Sequence, residues 1–129
     1  MITLFKSFKK MSPEKRFVVD KKNYKFELYL GDDLVVKSGF SIEPPDKWFN
    51  KKYVTLFNFE TIEEFRGKGF AKCLLEKIFD YVKNKLKLDI ITLNVHKNNH
   101  RAINLYLKCG FEKYQDFKES YYYTLIKKL

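Results

Sequence analysis

The sequence predicts an α/β (α+β) fold, in which a mixed, mostly antiparallel and twisted sheet holds a central pair of parallel strands with flanking helices. Two apolar runs, Tyr53–Thr61 and Asp89–His96, have the pattern of central strands. An amphipathic run, Phe70–Val82, lies between them and predicts a helix. Because a full helix connects them, the two strands should be parallel, with antiparallel hairpins on either side.

Length and composition predict one intracellular domain over residues 1–129. The chain has 129 residues, 45% of them hydrophobic, which is enough for one core. No apolar run approaches the roughly 20 residues of a membrane span, and the first residues lack the pattern of a signal peptide. The two cysteines, Cys73 and Cys109, form no metal-ligand pattern. We therefore expect a cytoplasmic protein with reduced thiols, no metal and no membrane contact.

The N-terminal third has the pattern of strands with one short helix. Ile2–Phe8 is a candidate edge strand, and Ser12-Pro13-Glu14 resembles a helix start, which predicts one or two helical turns. The alternation in Tyr24–Leu30 predicts a half-buried strand, and Leu34–Ile42 returns beside it after a turn. Pro44-Pro45 should end this hairpin because proline cannot donate to a sheet ladder.

The C-terminal third predicts a second helix and a final hairpin. Asn98-Asn99-His100 has the pattern of a helix start, and Cys109-Gly110 closes that helix with glycine at its C-terminus. Two aromatic runs, Phe111–Phe117 and Tyr121–Leu129, complete the chain as strands.

A glycine-rich turn joins the first central strand to its helix. Gly67 and Gly69 let the backbone turn sharply and let a bulky ligand reach the first amides of the helix. These amides and the positive end of the helix dipole suit phosphate. Arg66, Lys68 and Lys72 add positive charge around the same point.

Two segments together resemble a known family. Arg66-Gly67-Lys68-Gly69-Phe70-Ala71 resembles the R/Q-x-x-G-x-G/A signature of the GNAT superfamily of N-acetyltransferases, which have the acyl-CoA N-acyltransferase fold. Asn99–Phe111 is similar to the family's N-x-x-A-x-x-L-Y-x-K-x-G-F segment. The resemblance covers Tyr53 to Phe111 directly. Family members usually carry two helices between their first two strands, and only about Met11–Phe17 is available here, so these N-terminal helices are expected to be shortened.

The resemblance implies acetyl-CoA as the acetyl donor and assigns the residues that hold it. The pyrophosphate would lie on the backbone amides after Arg66, and the end of the first central strand would pair with the pantetheine arm. Asn99 matches an asparagine that contacts the cofactor, and it also suits a helix N-cap. The implied cofactor-binding residues are Phe59, Glu60, Thr61, Arg66, Gly67, Lys68, Gly69, Phe70, Ala71, Lys72 and Asn99.

Catalytic roles follow from the same resemblance. Tyr106 matches the tyrosine that acts in many members as general acid to the departing thiolate, although a tyrosine at helical spacing more often belongs to a core. Several relatives place a carboxylate where this chain has Asn94, which cannot act as a base. His96 and Glu60 are therefore the candidate bases, acting through water. A solvent-facing His96 at a strand end is the structural alternative.

The resemblance implies an N-acetyltransferase in which an acceptor amine attacks the thioester directly within a ternary complex. The acceptor is a protein N-terminus, a lysine or a small amine, and the protein is a monomer or a homodimer. The alternative is a non-catalytic GNAT-like module that binds its cofactor and uses a basic surface for nucleic acid or an acidic partner. The net charge of +10 fits that alternative, but the lysine pairs are scattered along the chain, so nucleic acid is not favoured.

Overall fold

The computed structural model describes residues 14–129, which form a seven-stranded sheet and two α-helices. The strands are β1 (Lys15–Asp20), β2 (Lys25–Leu30), β3 (Asp33–Glu43), β4 (Tyr53–Thr61), β5 (Ile90–His96), β6 (Glu112–Gln115) and β7 (Tyr122–Lys128). The helices are α1 (Phe70–Asn84) and α2 (His100–Lys108), and a 3-10 turn spans Glu63–Phe65.

The strand order is β1-β2-β3-β4-β5-β7-β6, so β4 lies at the centre of the sheet. Only β4 and β5 are parallel, and every other neighbouring pair is antiparallel. The predicted mixed sheet with a central parallel pair is therefore confirmed. The α1 crossover explains the parallel direction, since a chain that leaves β4 through a full helix returns in the same direction.

The parallel pair separates after three residue pairs. These are Val54 with Ile91, Thr55 with Thr92 and Leu56 with Leu93. Beyond them β4 pairs only with β3, and β5 pairs only with β7. A central strand, as the pattern of Tyr53–Thr61 predicts, is covered on both faces, and this is wrong for the second half of β4, where Phe57 is 45% exposed. The second half of β4 lines an opening because its neighbour diverges from it.

A β-bulge lies in β4 where the strands diverge. Gly39 opposes Phe57 and Lys37 opposes Glu60, so Asn58 and Phe59 together face one residue of β3, Ser38. Asn58 has a φ of 51°, a left-handed conformation that asparagine tolerates better than most residues. A bulge adds local twist, which turns the end of β4 away from β5.

The main core lies on one face of the sheet and includes both helices. The α1 residues that are fully buried recur at helical spacing: Leu74, Leu75, Ile78 and Val82. They pack with one face of β5, formed by Ile91, Leu93 and Val95, and with Ile103 and Tyr106 of α2. The amphipathic pattern predicted for α1 is confirmed by this burial.

A smaller cluster covers part of the opposite face. Tyr53, Ile90 and Ile126 are buried there beneath Phe49, which precedes β4. Nearer the end of β5 the same face is open, because Asn94 is exposed and Tyr122 is 52% exposed.

The predicted N-terminal helix is wrong over residues 15–17. Those residues begin β1, which pairs with β2 from Lys15 opposite Leu30 to Asp20 opposite Lys25. Val18 and Val19 favour a strand because β-branched side chains fit a pleated surface, and pairing with β2 satisfies the backbone groups. A tight turn joins β1 to β2 without helices. The candidate strand Ile2–Phe8 and the start of the predicted helix lie outside the described residues.

Two boundaries also differ from prediction. Tyr24 is not part of β2, since its φ is 54° and its side chain is 56% exposed. The strand predicted over Phe111–Phe117 is only β6, which is four residues long. The chain after it bends away because Lys97 holds the loop through Asp116 and the carbonyl of Phe117.

Candidate functional site

The turn between β4 and α1 leaves its backbone amides free. Gly67 has a φ of 76° and Gly69 a φ of 81°, both left-handed, and apart from the adjacent residues no atom of residues 14–129 lies within 4 Å of the point where either Cβ would stand. Within residues 14–129, no carbonyl or side chain accepts a hydrogen bond from the amides of residues 67–72. The start of α1 therefore offers a row of donors and the positive end of a helix dipole to one region of space.

The three basic residues of the turn, Arg66, Lys68 and Lys72, differ in their contacts and in whether they line a cleft. Arg66 donates from Nε to the carbonyl oxygen of Thr61, 3.1 Å away, and so braces the turn. Lys72 lies 4.0 Å from Glu76 on the exposed surface of α1. Arg66 and Lys72 line a cleft beside the two glycines, and Lys68 is not among the residues that line it.

A first cleft of about 470 Å³ lies over this turn, between the end of β4 and α2. Every predicted cofactor-binding residue except Lys68 lines it, which brings residues 59–61, 66–67, 69–72 and Asn99 to one place. Four lining residues were missed: Phe65, Arg101, Ala102 and Leu105. Ala102 and Leu105 are fixed positions of the second motif, so the sequence did carry a signal for them. Arg101 brings a further positive charge from the first turn of α2.

Asn99 caps α2, because its Oδ1 accepts a hydrogen bond from the amide of Ala102 at 3.2 Å. The structure therefore shows the capping role that asparagine performs well. The same residue lines the first cleft, so capping also fixes its place beside that cleft.

Tyr106 is held in the wall between the cleft and the core. Its side chain is 5% exposed, and its ring contacts Phe59 and Phe111 edge-on at 5.9 and 5.6 Å between centroids. Its hydroxyl has no hydrogen-bond partner within residues 14–129, and that part of the chain contains no buried polar side-chain atom without a partner, so the hydroxyl is in contact with solvent. Tyr106 lines both the first cleft and a second one. Burial raises the pKa of Tyr106 to about 12, which keeps the phenol protonated at neutral pH.

A second cleft of about 190 Å³ lies where β4 and β5 diverge. It shares four lining residues with the first cleft: Phe59, Asn99, Ala102 and Tyr106. The bulge residue Asn58 and the β5 residues Asn94 and His96 also line it. The two clefts therefore meet beside Tyr106, with the glycine turn on one side and the open end of the parallel pair on the other.

The two candidate bases lie in different clefts. Glu60 lines the first cleft, is exposed to solvent and lies 3.9 Å from the Nζ of Lys37. His96 lines the second cleft, and its Nδ1 accepts a hydrogen bond from the amide of Asn98 at 3.1 Å. Because this bond uses the Nδ1 lone pair, a neutral His96 carries its proton on Nε2.

Asn94 occupies the position where the resemblance led us to look for a carboxylate. Its Oδ1 accepts a hydrogen bond from the Oγ1 of Thr124 on β7 at 2.8 Å. The amide is therefore held in place beside His96, but it is neutral.

Comparison with known proteins gives the family. The sequence model of the acetyltransferase (GNAT) family matches residues 7–111. The chain belongs to the GNAT acetyltransferase family. Its fold agrees with this membership, since the protein PH1933 of Pyrococcus horikoshii superposes with a TM-score of 0.69 at 27% identity, over 81% of this chain and 64% of that one.

Named relatives of this GNAT domain differ in their acceptors. A spermidine N(1)-acetyltransferase of Vibrio cholerae is 37% identical over a stretch that covers 45% of this chain and 41% of the relative. An N-alpha-acetyltransferase of Saccharolobus solfataricus is 40% identical, over 46% of this chain and 36% of the relative. The matched part of the chain thus spans less than half the length of either relative.

Residues 14–129 of the GNAT domain contain no group of three or more His, Cys, Asp or Glu side chains placed to hold a metal ion. None of the helices in this range has the length and apolar character required to cross a membrane.

Proposed function

We propose that this GNAT domain transfers an acetyl group from acetyl-CoA to an amine by direct attack in a ternary complex. The observation that carries the proposal is the meeting of two clefts beside Tyr106, one with free backbone amides and one at the open end of the parallel strands. One cleft suits a phosphate-bearing donor and the other suits a separate acceptor. No covalent enzyme intermediate is needed, because both substrates reach the same point.

The first cleft fits coenzyme A in three respects. The amides of residues 67–72 and the side chains of Arg66, Lys72 and Arg101 suit a pyrophosphate. The space above Gly67 and Gly69, which a Cβ would enter, lets phosphate approach the backbone. The edge of β4 that faces away from β3 has no strand partner at residues 59–61 among the described residues, so an extended amide-containing arm can pair with it. Acetyl-CoA supplies the acetyl group as a reactive thioester.

Tyr106 is the proposed general acid. Its hydroxyl opens on the junction of the clefts and remains protonated at neutral pH, so it can donate its hydrogen to the sulfur that leaves. Asn99 contributes by fixing the start of α2, the helix that carries Tyr106.

Neither candidate base is placed for direct proton abstraction. Glu60 is solvated and pairs with Lys37, while the Nδ1 of His96 already accepts a backbone hydrogen bond. We propose that the amine loses its proton to water in the open second cleft, with Glu60 or His96 acting only through that water.

Two measurements test the proposal. Isothermal titration calorimetry should show saturable binding of acetyl-CoA, and a thiol reagent should detect coenzyme A release that depends on an added amine. Absence of binding at millimolar acetyl-CoA would contradict the function. Binding without amine-dependent thiol release would favour the non-catalytic module, and a salt-sensitive affinity for nucleic acid would then identify its partner.

A further inference from the structure

The second cleft is uncharged. Among the described residues that line it, none is an aspartate or a glutamate, and its polar side chains are Asn58, Asn94, His96, Asn99 and Tyr106. A polyamine carries several positive charges, and without anionic partners their desolvation is not offset. The chain's net charge of +10 adds to this penalty.

Among the described residues that line the second cleft, none is placed to deprotonate a strongly basic amine directly. The Nδ1 of His96 already accepts a backbone hydrogen bond, and Glu60 lies in the other cleft in contact with Lys37. An amine that arrives already neutral is therefore favoured over one that must first lose a proton through water. At pH 7.5 roughly a quarter of α-amino groups are neutral, against roughly 0.1% of lysine amines, given pKa values of about 8 and about 10.4. At equal total concentration, the concentration of neutral α-amino groups therefore exceeds that of neutral lysine amines roughly 200-fold.

Aromatic side chains line the second cleft or contact the residues that line it. Phe57 lines the cleft and is 45% exposed, and His96, another lining residue, stacks on Tyr121 with the ring planes 7° apart. Tyr122 meets the His96 ring edge-on at 5.4 Å. The loop that carries Tyr121 is held here, since its carbonyl accepts from the amide of Lys97 at 2.8 Å. Such a wall suits apolar residues that follow an amine along a peptide.

From these three observations we infer that the acceptor is the α-amino group of a polypeptide with apolar first residues, and not a polyamine or a lysine side chain. This inference rests on the proposed function. The neutral nitrogen attacks the thioester carbonyl carbon, so a C–N bond forms as the C–S bond breaks. The electron pair of that bond leaves on sulfur, which takes a proton, and the nitrogen releases one proton to water. The products are an N-acetyl peptide and free coenzyme A.

The test compares three acceptors with the full chain at pH 7.5. They are a short lysine-free peptide with a free amino terminus and apolar first residues, the same peptide with a blocked terminus and one lysine, and spermidine. We expect kcat/KM for the first to exceed that of either other acceptor at least 100-fold, with mass spectrometry placing the acetyl group on the terminal nitrogen. Its kcat/KM should rise with pH to about 8 and then level off.

Substitution of Asn94 by aspartate provides a matched change of charge. An aspartate oxygen can still accept the hydrogen bond from Thr124, so the local geometry is kept while a carboxylate enters the cleft. Asn94→Asp should raise kcat/KM for spermidine at least 10-fold relative to the free-terminus peptide. Asn50→Asp adds the same charge on an exposed loop outside both clefts and should leave this ratio unchanged.

A binding measurement gives a readout that is independent of turnover. With coenzyme A present, the free-terminus peptide should shift the backbone amide resonances of Phe57 and His96, whereas spermidine should not. If acetyl-CoA binds but spermidine or the lysine peptide is the better acceptor, the inference alone is overturned. If acetyl-CoA does not bind, or binds and no acceptor is acetylated, the proposed function fails together with the inference.

Discussion

At the scale of single residues, the chemistry of this GNAT domain depends on which polar atoms remain available. Tyr106 is buried yet its hydroxyl reaches the junction of the two clefts, while His96 lines a cleft but has used its Nδ1 lone pair. The sequence predicted that both Tyr106 and His96 lie near the site. Only their hydrogen bonds distinguish a group that can donate or accept a proton from one that is committed elsewhere.

Replacing Tyr106 with Phe should lower kcat about 10²-fold, the usual effect of losing a general acid. The ring contacts with Phe59 and Phe111 remain, so the affinity for acetyl-CoA should stay unchanged. Steady-state thiol release and calorimetry measure the two quantities. An unaltered kcat would assign Tyr106 to packing alone.

Tyr106 should also make the fold sensitive to alkali. Its pKa is about 12 because burial disfavours the phenolate, whereas the unfolded chain releases this proton near pH 10. The folded state therefore binds more protons between these values, so stability is complete below about pH 10 and falls as the pH rises through 12. Between pH 9 and pH 12, urea unfolding should show a loss of stability about 2 kcal/mol larger for wild type than for Tyr106→Phe, because most of the roughly 1.36 kcal/mol per pKa unit is lost by pH 12. Equal losses in both proteins would refute this assignment.

At the scale of elements, the β4–α1 turn is the part of the site closest to what its sequence predicts. Two left-handed glycines and the free amides that follow them form one local unit, which requires no distant contact. The N-terminal region shows the opposite case. Ser12-Pro13-Glu14 resembles a helix start, yet the chain enters β1 from Lys15 because β2 offers a partner along its whole length.

Gly69→Ala should weaken acetyl-CoA binding about 10-fold or more. An L-residue pays about 1 to 2 kcal/mol in the left-handed conformation, and its Cβ would enter the space through which phosphate approaches. Calorimetry measures the affinity. Gly31→Ala is the matched control, because Gly31 has a φ of 60° in the exposed β2–β3 turn and should lose stability without losing affinity. Equal affinities for the two variants would contradict a role for the turn in phosphate binding.

At the scale of the whole molecule, one core supports both clefts. Buried residues of α1 and α2 belong to the same cluster as the inner faces of β2 to β5. The wall that carries Tyr106 and the turn that presents the amides are therefore parts of one packed unit. We expect residues 1–129 to unfold cooperatively as a single domain.

Leu75→Ala should reduce the free energy of unfolding by about 2 to 5 kcal/mol, since Leu75 is fully buried and the change leaves a cavity. Lys77→Ala, on the exposed side of the same helix, should change it by less than about 0.5 kcal/mol. Both unfolding curves should show one transition by near- and far-UV circular dichroism. Two separate transitions would argue against a single domain.

The sequence by itself determined the local units of this protein. Four features follow from residues near one another in the chain. They are the apolar faces of α1 and β5, the cap at Asn99, the left-handed Gly67 and Gly69, and the parallel direction of β4 and β5. Periodicity, capping and turn chemistry are short-range effects, so one stretch contains all the information they need.

Only the tertiary structure decided where those units meet. The divergence of β4 and β5 after Leu56 and Leu93 depends on a bulge measured against β3 and on pairing with β7. Three further features depend on distant partners or on backbone geometry. They are the strand that begins at Lys15, the backbone hydrogen bond that occupies the Nδ1 of His96 and the lining without carboxylates around Asn94. Which polar side-chain atoms remain without a hydrogen bond depends on the neighbours that the fold brings to them. These free and occupied atoms are what favours a neutral peptide amine as the acceptor.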